Sequence, residues 1–325
     1  MTGFSKFFGI SLALSLFSWG CSGGGNADVP GAPGPIDNLN GSLSISLTDG
    51  PWEDAHAMVL HITGIEIGRA NGEVIHFDID GGPMTVDMMQ LQNGVFQTLI
   101  TQAGVPVGQY EWIRLQLDMD QSYIDLAGTG GRHGMQMSAD AANGLEVHRP
   151  FQISQSTSSE FMLDFDLRRG VQSHNMGMMG QQFDLHSAIR LVDMRNAGGL
   201  TGMVAAAMVD INHPECDSTP GGNWAYIFPG DALAPDDIAE TEVDGMPGPL
   251  AADRVEMDPQ TGDHIYHFDF LEPGSYRIAF SCSGEWDEEA DDDYPADPDG
   301  RFDFRMFSAP TSVTAGEMHR FDLTP

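Results

Sequence analysis

The sequence has very little positive charge. Lysine occurs once, at Lys6, and the whole chain carries 14 basic against 48 acidic side chains, a formal net charge of -34. Unassisted binding to nucleic acid or to an anionic lipid surface requires clustered lysine or arginine. The composition therefore excludes nucleic acid as a partner and excludes a purely electrostatic attachment to membranes.

Motifs that mark several common enzyme classes are also missing. The chain contains no zinc-binding H-E-x-x-H helix, no P-loop and no dinucleotide-binding G-x-G-x-x-G strand-helix unit. The surplus of aspartate and glutamate could include a glycosidase pair, but nothing in the sequence selects two carboxylates among so many. We therefore expect a protein that is not an enzyme.

A short apolar run opens the chain, from Phe7 to Phe17, and it is too short to cross a bilayer core. With Gly20 and Cys21 behind it, the run resembles a bacterial lipoprotein signal. That resemblance implies export through the Sec pathway, removal of residues 1–20 and lipidation of Cys21. Residues 21–40, rich in glycine and proline, are typical of a flexible linker. An ordinary secretory signal cleaved near Gly20 would look almost the same.

Ser22, the residue beside Cys21, resembles the sorting signal of outer-membrane lipoproteins. We therefore expect a lipid-anchored protein at the outer membrane or cell surface. Its expected partners are the membrane, through acyl chains on Cys21, and an unknown protein or carbohydrate ligand.

Apolar residues beyond Gly41 follow the period of a β-strand. Leu43, Ile45 and Leu47 alternate with serines, and Asn71-Gly72 marks a hairpin turn between two further strands. Many short strands separated by glycine- and proline-rich turns predict an all-β chain with two consecutive β-sandwich domains. One short helix is expected, over residues 88–103.

A change of pattern at residues 196–199 divides the chain into a first β domain, 41–196, and a second, 197–325. Two segments echo one another across this boundary, Val105-Pro-Val-Gly-Gln-Tyr110 and Leu271-Glu-Pro-Gly-Ser-Tyr276. In each, a turn precedes a tyrosine that enters a strand with its ring against the core. The Pro-Gly-x-Tyr form resembles the start of a strand in transthyretin-like and carboxypeptidase-regulatory-like modules, which implies a β-sandwich over 197–325.

Five segments of the first domain resemble the DUF4382 family, bacterial lipoproteins of unknown function. The resemblance implies a secreted, tethered β domain and supplies no catalytic residues. The segments, in order, are Gly41-Ser-Leu-Ser-Ile-Ser-Leu-Thr-Asp-Gly-Pro51, Ile62-Thr-Gly-Ile-Glu66, Tyr110-Glu-Trp-Ile-Arg-Leu115, Phe165-Asp-Leu-Arg-Arg169 and Ile189-Arg-Leu-Val-Asp193.

Two cysteines remain when Cys21 is assigned to the lipid, and paired cysteines in an exported protein most often form a disulfide. We predict a bond between Cys216 and Cys282. A metal or nucleophile pair is the alternative, but the close C-x-x-C spacing is missing.

The acidic loop over residues 285–299 carries nine carboxylates without a cation. One interpretation is a solvated insertion. The other is a weak Ca²⁺ site, although the spacing departs from the EF-hand template. Its ligands would be Asp291, Asp292, Asp293, Asp297 and Asp299.

The chain contains 19 methionines, and two groups of them adjoin histidines in what we predict to be glycine-rich loops. Thioether and imidazole form a soft ligand set that suits Cu(I). Methionine is also a flexible filler of protein cores, so packing is the alternative explanation. The candidate copper ligands are His133, Met135, Met137, His174, Met176, Met178 and Met179.

The sequence thus predicts a non-enzymatic cell-envelope lipoprotein that presents β-sandwich domains for binding of a ligand or partner. The alternative is a metal-binding envelope protein, with Cu(I) at the Met/His segments or Ca²⁺ at the acidic loop. No cofactor is predicted firmly, and Ca²⁺ is the first candidate.

Overall fold

The fold is built almost entirely from β-strands, which confirms the predicted all-β sandwich architecture. The structure is a computed structural model that describes residues 39–52, 55–126, 131–155, 157–175, 181–209, 222–238, 248–287 and 301–325. Asn38–Pro325 form one compact unit. No helix in the described part of the chain is long and apolar enough to cross a bilayer.

In the described part of the chain, thirteen strands precede residue 194, and one α-helical turn, α1 (Leu167–Gly170), lies among them. The strands are β1 (Asn40–Asp49), β2 (Ala55–Gly68), β3 (Val74–Asp78), β4 (Met84–Asp87), β5 (Gln97–Pro106), β6 (Gly108–Leu117), β7 (Tyr123–Leu126), β8 (Arg132–Met137), β9 (Leu145–Ile153), β10 (Ser158–Phe165), β11 (Val171–Asn175), β12 (Gln181–Leu185) and β13 (Ile189–Asp193).

These strands form two sheets that enclose one core. The first sheet has the order β13-β10-β1-β5, and the second follows the path β11-β12-β8-β7-β2-β6-β9, with β3 and β4 also paired to β2. The alternation seen in the sequence explains the packing, because Leu43, Ile45 and Leu47 of β1 are fully buried while the serines between them are not. Ile65 and Ile113 join the same core from the second sheet.

Within the described ranges, nine strands follow residue 197 and form two further sheets, with the orders β17-β18-β14-β22 and β16-β15-β19-β20, where β21 also pairs with β19. The strands are β14 (Gly198–Val204), β15 (Trp224–Pro229), β16 (Ala251–Arg254), β17 (Glu256–Met257), β18 (His264–Leu271), β19 (Gly274–Ser281), β20 (Met306–Phe307), β21 (Thr311–Val313) and β22 (Met318–Arg320).

Strand β15 is buried on both faces. Ile227 packs into the core between the third and fourth sheets, whereas Trp224, Tyr226 and Phe228 form a separate aromatic cluster on the other face. Among the described residues, strand pairing does not cross 194–197, close to the predicted domain boundary. The two-domain division at 41–196 and 197–325 itself stays a prediction.

Both tyrosines of the repeated segment make the same local contact. The Tyr110 hydroxyl donates to the Pro106 carbonyl at 2.8 Å, and the Tyr276 hydroxyl donates to the Glu272 carbonyl at 2.7 Å, each four residues upstream. Both rings are buried. A hydroxyl that bonds back to the preceding backbone fixes the entry into a strand, as in the tyrosine corner of sandwich folds. The echo in the sequence therefore marks an equivalent structure in each half.

The helix predicted over residues 88–103 is wrong. Only Met88–Gln90 form a 3-10 turn, and β5 occupies the end of the range. The Asp87 side chain caps the turn by accepting from the Met89 amide at 3.2 Å. Asn93 and Gly94 then adopt φ of 57° and 75°, which ends the helical path and redirects the chain into a strand.

Candidate functional site

Two consecutive arginines lie on the helical turn α1, directly after β10. The carboxylate of Asp166 accepts from the backbone amides of Arg168 at 3.1 Å and Arg169 at 3.3 Å, which satisfies the free donors at the start of the turn. Gly170 closes it, and a Cβ there would lie 2.5 Å from the ring of Phe165. The turn is therefore fixed by its own sequence.

Arg168 joins the first half of the chain to the second. Its guanidinium donates to the carbonyls of Gly284 at 2.9 Å and Asp287 at 2.8 Å, and to the Tyr226 hydroxyl at 3.4 Å. It also lies 4.1 Å from the ring centroid of Trp224. The Arg168 side chain is 10% exposed and that of Asp287 is 0% exposed, so this is a buried, multiply bonded contact.

Two more arginines at this junction have carboxylate partners. Arg149 pairs with Glu272 from the second half and donates to the carbonyl of Leu191. Arg190 pairs with Asp164 on the neighbouring strand β10. Arg149 therefore links the two halves of the chain, whereas Arg190 ties β13 to β10 within the first half.

A cleft of about 590 Å³ opens beside these residues. We call it the arginine cleft, because Arg149, Arg169 and Arg190 line it. Its walls come from β9, β10, β13 and the segment that leads into β16, so both halves of the chain contribute.

Arg169 differs from the other arginines of the cleft. Its Nε is enclosed and has no hydrogen-bond partner in the described part of the chain, and no described carboxylate forms an ion pair with it. An enclosed donor without a partner has lost its hydration without compensation. The cleft therefore holds one guanidinium that has no ion pair within 4 Å among the described residues, and whose charge acts on the buried carboxyl of Asp287.

A second, smaller depression of about 50 Å³ lies next to the arginine cleft, and its lining is acidic. Asp49, Asp164, Asp253 and Asp269 contribute to it, together with Gly50, which also lines the arginine cleft. The Asp253 carboxylate accepts from the His267 amide at 2.6 Å, which links β16 to β18.

Burial controls the protonation of this acidic group. It raises the pKa of Asp253 to about 8, and it raises the pKa of Asp49 well above the ordinary value, with the charges of Asp166 and Asp164 adding to the increase. Burial also raises the pKa of Asp269. At neutral pH Asp253 is therefore mostly protonated, and burial favours the neutral form of Asp49 as well.

The predicted copper ligands that the structure describes do not converge. His133–Met137 lie on strand β8 instead of a loop, and Met135 is buried in the core. His133 contacts the ring of Phe183 at 5.7 Å on that face. His174 pairs with Asp184 at 3.3 Å, and Asp184 also accepts from Gln136, on the opposite face of the sheet.

The remaining members of that set, Met176, Met178 and Met179, lie outside the described residues. In the ranges that are described, no three His, Cys, Asp or Glu side chains are arranged to hold a metal ion. His133, Met135 and Met137 lie on one face of the sheet and His174 lies on the other. These four residues as a group therefore give no support to copper binding.

Several other predicted positions also fall outside the described ranges. They include Cys21, Cys216 and the proposed calcium ligands Asp291, Asp292, Asp293, Asp297 and Asp299. Cys282 directly follows β19, is buried, and its Sγ lies 3.9 Å from an Arg305 nitrogen. The disulfide and calcium sites stay predictions.

The first residues of the acidic loop are not a solvated insertion. Gly284–Trp286 form a 3-10 turn, and Asp287 is buried against Arg168. From the sequence we predict that Asp287 belongs with the carboxylates that follow it. Its burial depends on a partner that lies 119 positions earlier in the chain.

Sequence reasoning missed the arginine cleft. It selected Arg168 and Arg169 only as part of a family-like segment, although a pair of arginines is conspicuous in a chain so poor in cations. That scarcity, together with the capping aspartate in front of the pair, is the signal that could have identified this junction.

Comparison with protein families supports the resemblance seen in the sequence. Residues 40–181 match the family described as Domain of unknown function (DUF4382). A search of curated protein sequences finds no match.

Comparison with solved structures gives only distant likenesses. The Bacillus anthracis TIE protein matches at 10% identity with a TM-score of 0.18, over 87% of this chain and 33% of that one. The Streptococcus agalactiae minor pilin matches at 10% identity and a TM-score of 0.19, over 87% and 94%. The fimbrial anchor protein of Porphyromonas gingivalis matches at 11% identity and a TM-score of 0.17, over 82% of each chain.

This chain spans about a third of the Bacillus anthracis protein. At TM-scores near 0.2 the structural likenesses carry no argument about function. The family comparison does bear on this chain, and residues 40–181 are similar to DUF4382.

Proposed function

We propose that the protein is a non-enzymatic cell-envelope lipoprotein that is anchored through Cys21 and binds a ligand or partner in the arginine cleft. The observation that carries this proposal is the cleft of about 590 Å³, which is large enough for a small organic ligand and contains the unpartnered Nε of Arg169. The apolar leader, the glycine-rich linker and the family match over residues 40–181 support the envelope location.

The cleft can be tested by filling it. Gly50 lines it, has no positive φ, and a Cβ at this position would meet nothing closer than a carbonyl oxygen at 4.0 Å. Gly50→Phe should therefore occupy the cleft without backbone strain. Gly134→Phe is the matched control, because Gly134 is exposed on β8 and a Cβ there meets no atom within 4 Å.

The probes are a panel of small organic acids, amides, monosaccharides and disaccharides, detected by ligand-observed NMR on the mature protein. We expect at least one probe to bind the natural protein and Gly134→Phe but not Gly50→Phe. If no probe binds, or if Gly50→Phe binds as well as the natural protein, the cleft is not a ligand site.

The anchor and the absence of catalysis need separate experiments. Replacement of Cys21 by serine should abolish incorporation of labelled palmitate and release the protein from the membrane fraction. Unchanged labelling would contradict the anchor. Hydrolysis of any member of an ester and glycoside panel, lost on replacement of a single serine or carboxylate, would overturn the non-enzymatic assignment.

A further inference from the structure

The chemistry of the arginine cleft is set by the one guanidinium of the three that forms no ion pair with a described residue. Arg149 is neutralised by Glu272 and Arg190 by Asp164, whereas no described residue forms an ion pair with Arg169. A guanidinium presents a planar fork of donors that matches the two oxygens of a carboxylate or the oxygens of a phosphate. Arg169 therefore favours an oxyanion as the group that enters the cleft.

The neighbouring carboxylates limit the charge of that group. Asp164 and Asp166 also line the cleft, and Asp166 is held in place by its bonds to the Arg168 and Arg169 amides. Asp164 is already paired with Arg190, so a dianion such as phosphate would meet repulsion from Asp166 while facing the one guanidinium that has no ion pair among the described residues. The arrangement therefore favours a group with one negative charge, which in small organic ligands is a carboxylate.

Much of the remaining wall of the cleft is apolar, although His148 and Ser187 also line it. Val147, Ile189 and Leu250 line it, and the Leu250 side chain is 38% exposed. Pro249 and Ala188 extend the same surface. Apolar walls around one charged anchor suit a ligand with an apolar body and a single polar end, because the body gains from burial while the charge fixes the orientation.

We infer that Arg169 anchors a binding site for small organic monocarboxylates with an apolar body. This inference rests on the proposed function, since it names the ligand class of the same cleft. The guanidinium of Arg169 holds the carboxylate, and the apolar walls formed by Val147, Ile189 and Leu250 cover the rest of the molecule.

The probe pair is benzoate and benzamide, which share a shape and differ in charge. Both are titrated into the mature protein by NMR chemical-shift perturbation. We expect benzoate to bind at least ten-fold more tightly than benzamide. Inorganic phosphate at the same concentration should not displace benzoate.

The variants are Arg169→Gln and its matched control Arg320→Gln. Arg320 is exposed at the end of β22, pairs with Asp322, and does not line the cleft. Arg169→Gln should weaken benzoate binding at least ten-fold, and Arg320→Gln should leave it unchanged. Arg169→Lys keeps the positive charge but lacks the planar fork of donors. Its affinity for benzoate should lie between those of the natural protein and Arg169→Gln. Circular dichroism confirms that each variant is folded.

The outcomes separate this inference from the proposed function. If Gly50→Phe no longer binds the neutral probes while Arg169→Gln binds benzoate as tightly as the natural protein, the cleft binds ligands but the monocarboxylate assignment is wrong. Phosphate binding that depends on Arg169, without benzoate binding, also overturns the assignment. If no probe is sensitive to Gly50→Phe, both fail.

Discussion

Replacing Arg168 by methionine should destabilise the protein more than any change to its exposed arginines. Methionine keeps most of the apolar length of the side chain and removes the guanidinium. The variant loses donors to Gly284 at 2.9 Å and to the Asp287 carbonyl at 2.8 Å. It also leaves the Asp287 carboxylate, 0% exposed, without its cation.

The expected cost follows from these contacts. Breaking a buried ion pair by removing one partner costs about 3–5 kcal/mol, because an uncompensated charge remains inside the protein. Arg320→Met is the control, and the surface pair of Arg320 with Asp322 should contribute less than about 1 kcal/mol. We therefore expect a loss of about 4 kcal/mol for Arg168→Met in the free energy of unfolding.

The assay is urea unfolding followed by circular dichroism and tryptophan fluorescence, with Trp224 under the guanidinium as one reporter. The double variant Arg168→Met with Asp287→Asn should recover at least about 1 kcal/mol, because the buried charge is gone and asparagine still accepts from the Ile238 amide. A loss below 1 kcal/mol for Arg168→Met, or equal losses for Arg168→Met and Arg320→Met, would refute the reasoning.

Three further predictions concern the core and the junction. Folding raises the pKa of Asp253 from 3.8 to about 8, so the stability that this residue contributes is lost as the pH rises from about 4 to 8. The melting temperature of Asp253→Asn, relative to that of the natural protein, should therefore be higher at pH 9 than at pH 5. An equal difference between the two proteins at both pH values would contradict this. Tyr110→Phe and Tyr276→Phe should each lower the free energy of unfolding by about 1 kcal/mol, because each removes one hydrogen bond to a partly buried carbonyl. Urea midpoints measure the loss. Peptide mapping without reductant should recover a peptide in which Cys216 is linked to Cys282. Reduction of this bond should lower the free energy of unfolding by about 4 kcal/mol, because the unfolded chain regains loop entropy. Two free thiols would rule out the bond.

Strand positions were predictable because each sheet buries one face. The alternation at Leu43, Ile45 and Leu47 is a direct consequence of that burial, and β1 lies where the pattern places it. The repeated turn before Tyr110 and Tyr276 was also visible in the sequence, since its proline, glycine and tyrosine act locally.

Features that depend on distant partners were not predictable. The short apolar stretch after Asp87 fits a helix or a strand equally well, and the positive φ angles at Asn93 and Gly94 decide the outcome. The role of Arg168 depends on groups 58 to 119 positions away, so no local pattern reveals it. The methionines of β8 looked like ligands because composition cannot distinguish a soft donor from a core filler.

The position of β1 within its sheet has a consequence for how the chain folds. Among the described strands it is the first in the sequence and so the first to be synthesised, yet its neighbours are β5 and, in parallel register, β10, which begins at Ser158. Until more than a hundred further residues have emerged, the backbone edge of β1 along Ser42–Asp49 has no native partner. Pairing over such sequence distances makes folding slow and leaves an unpaired strand edge that can associate with other chains while folding proceeds. A newly made molecule would therefore benefit from a chaperone that holds it until its first sheet closes.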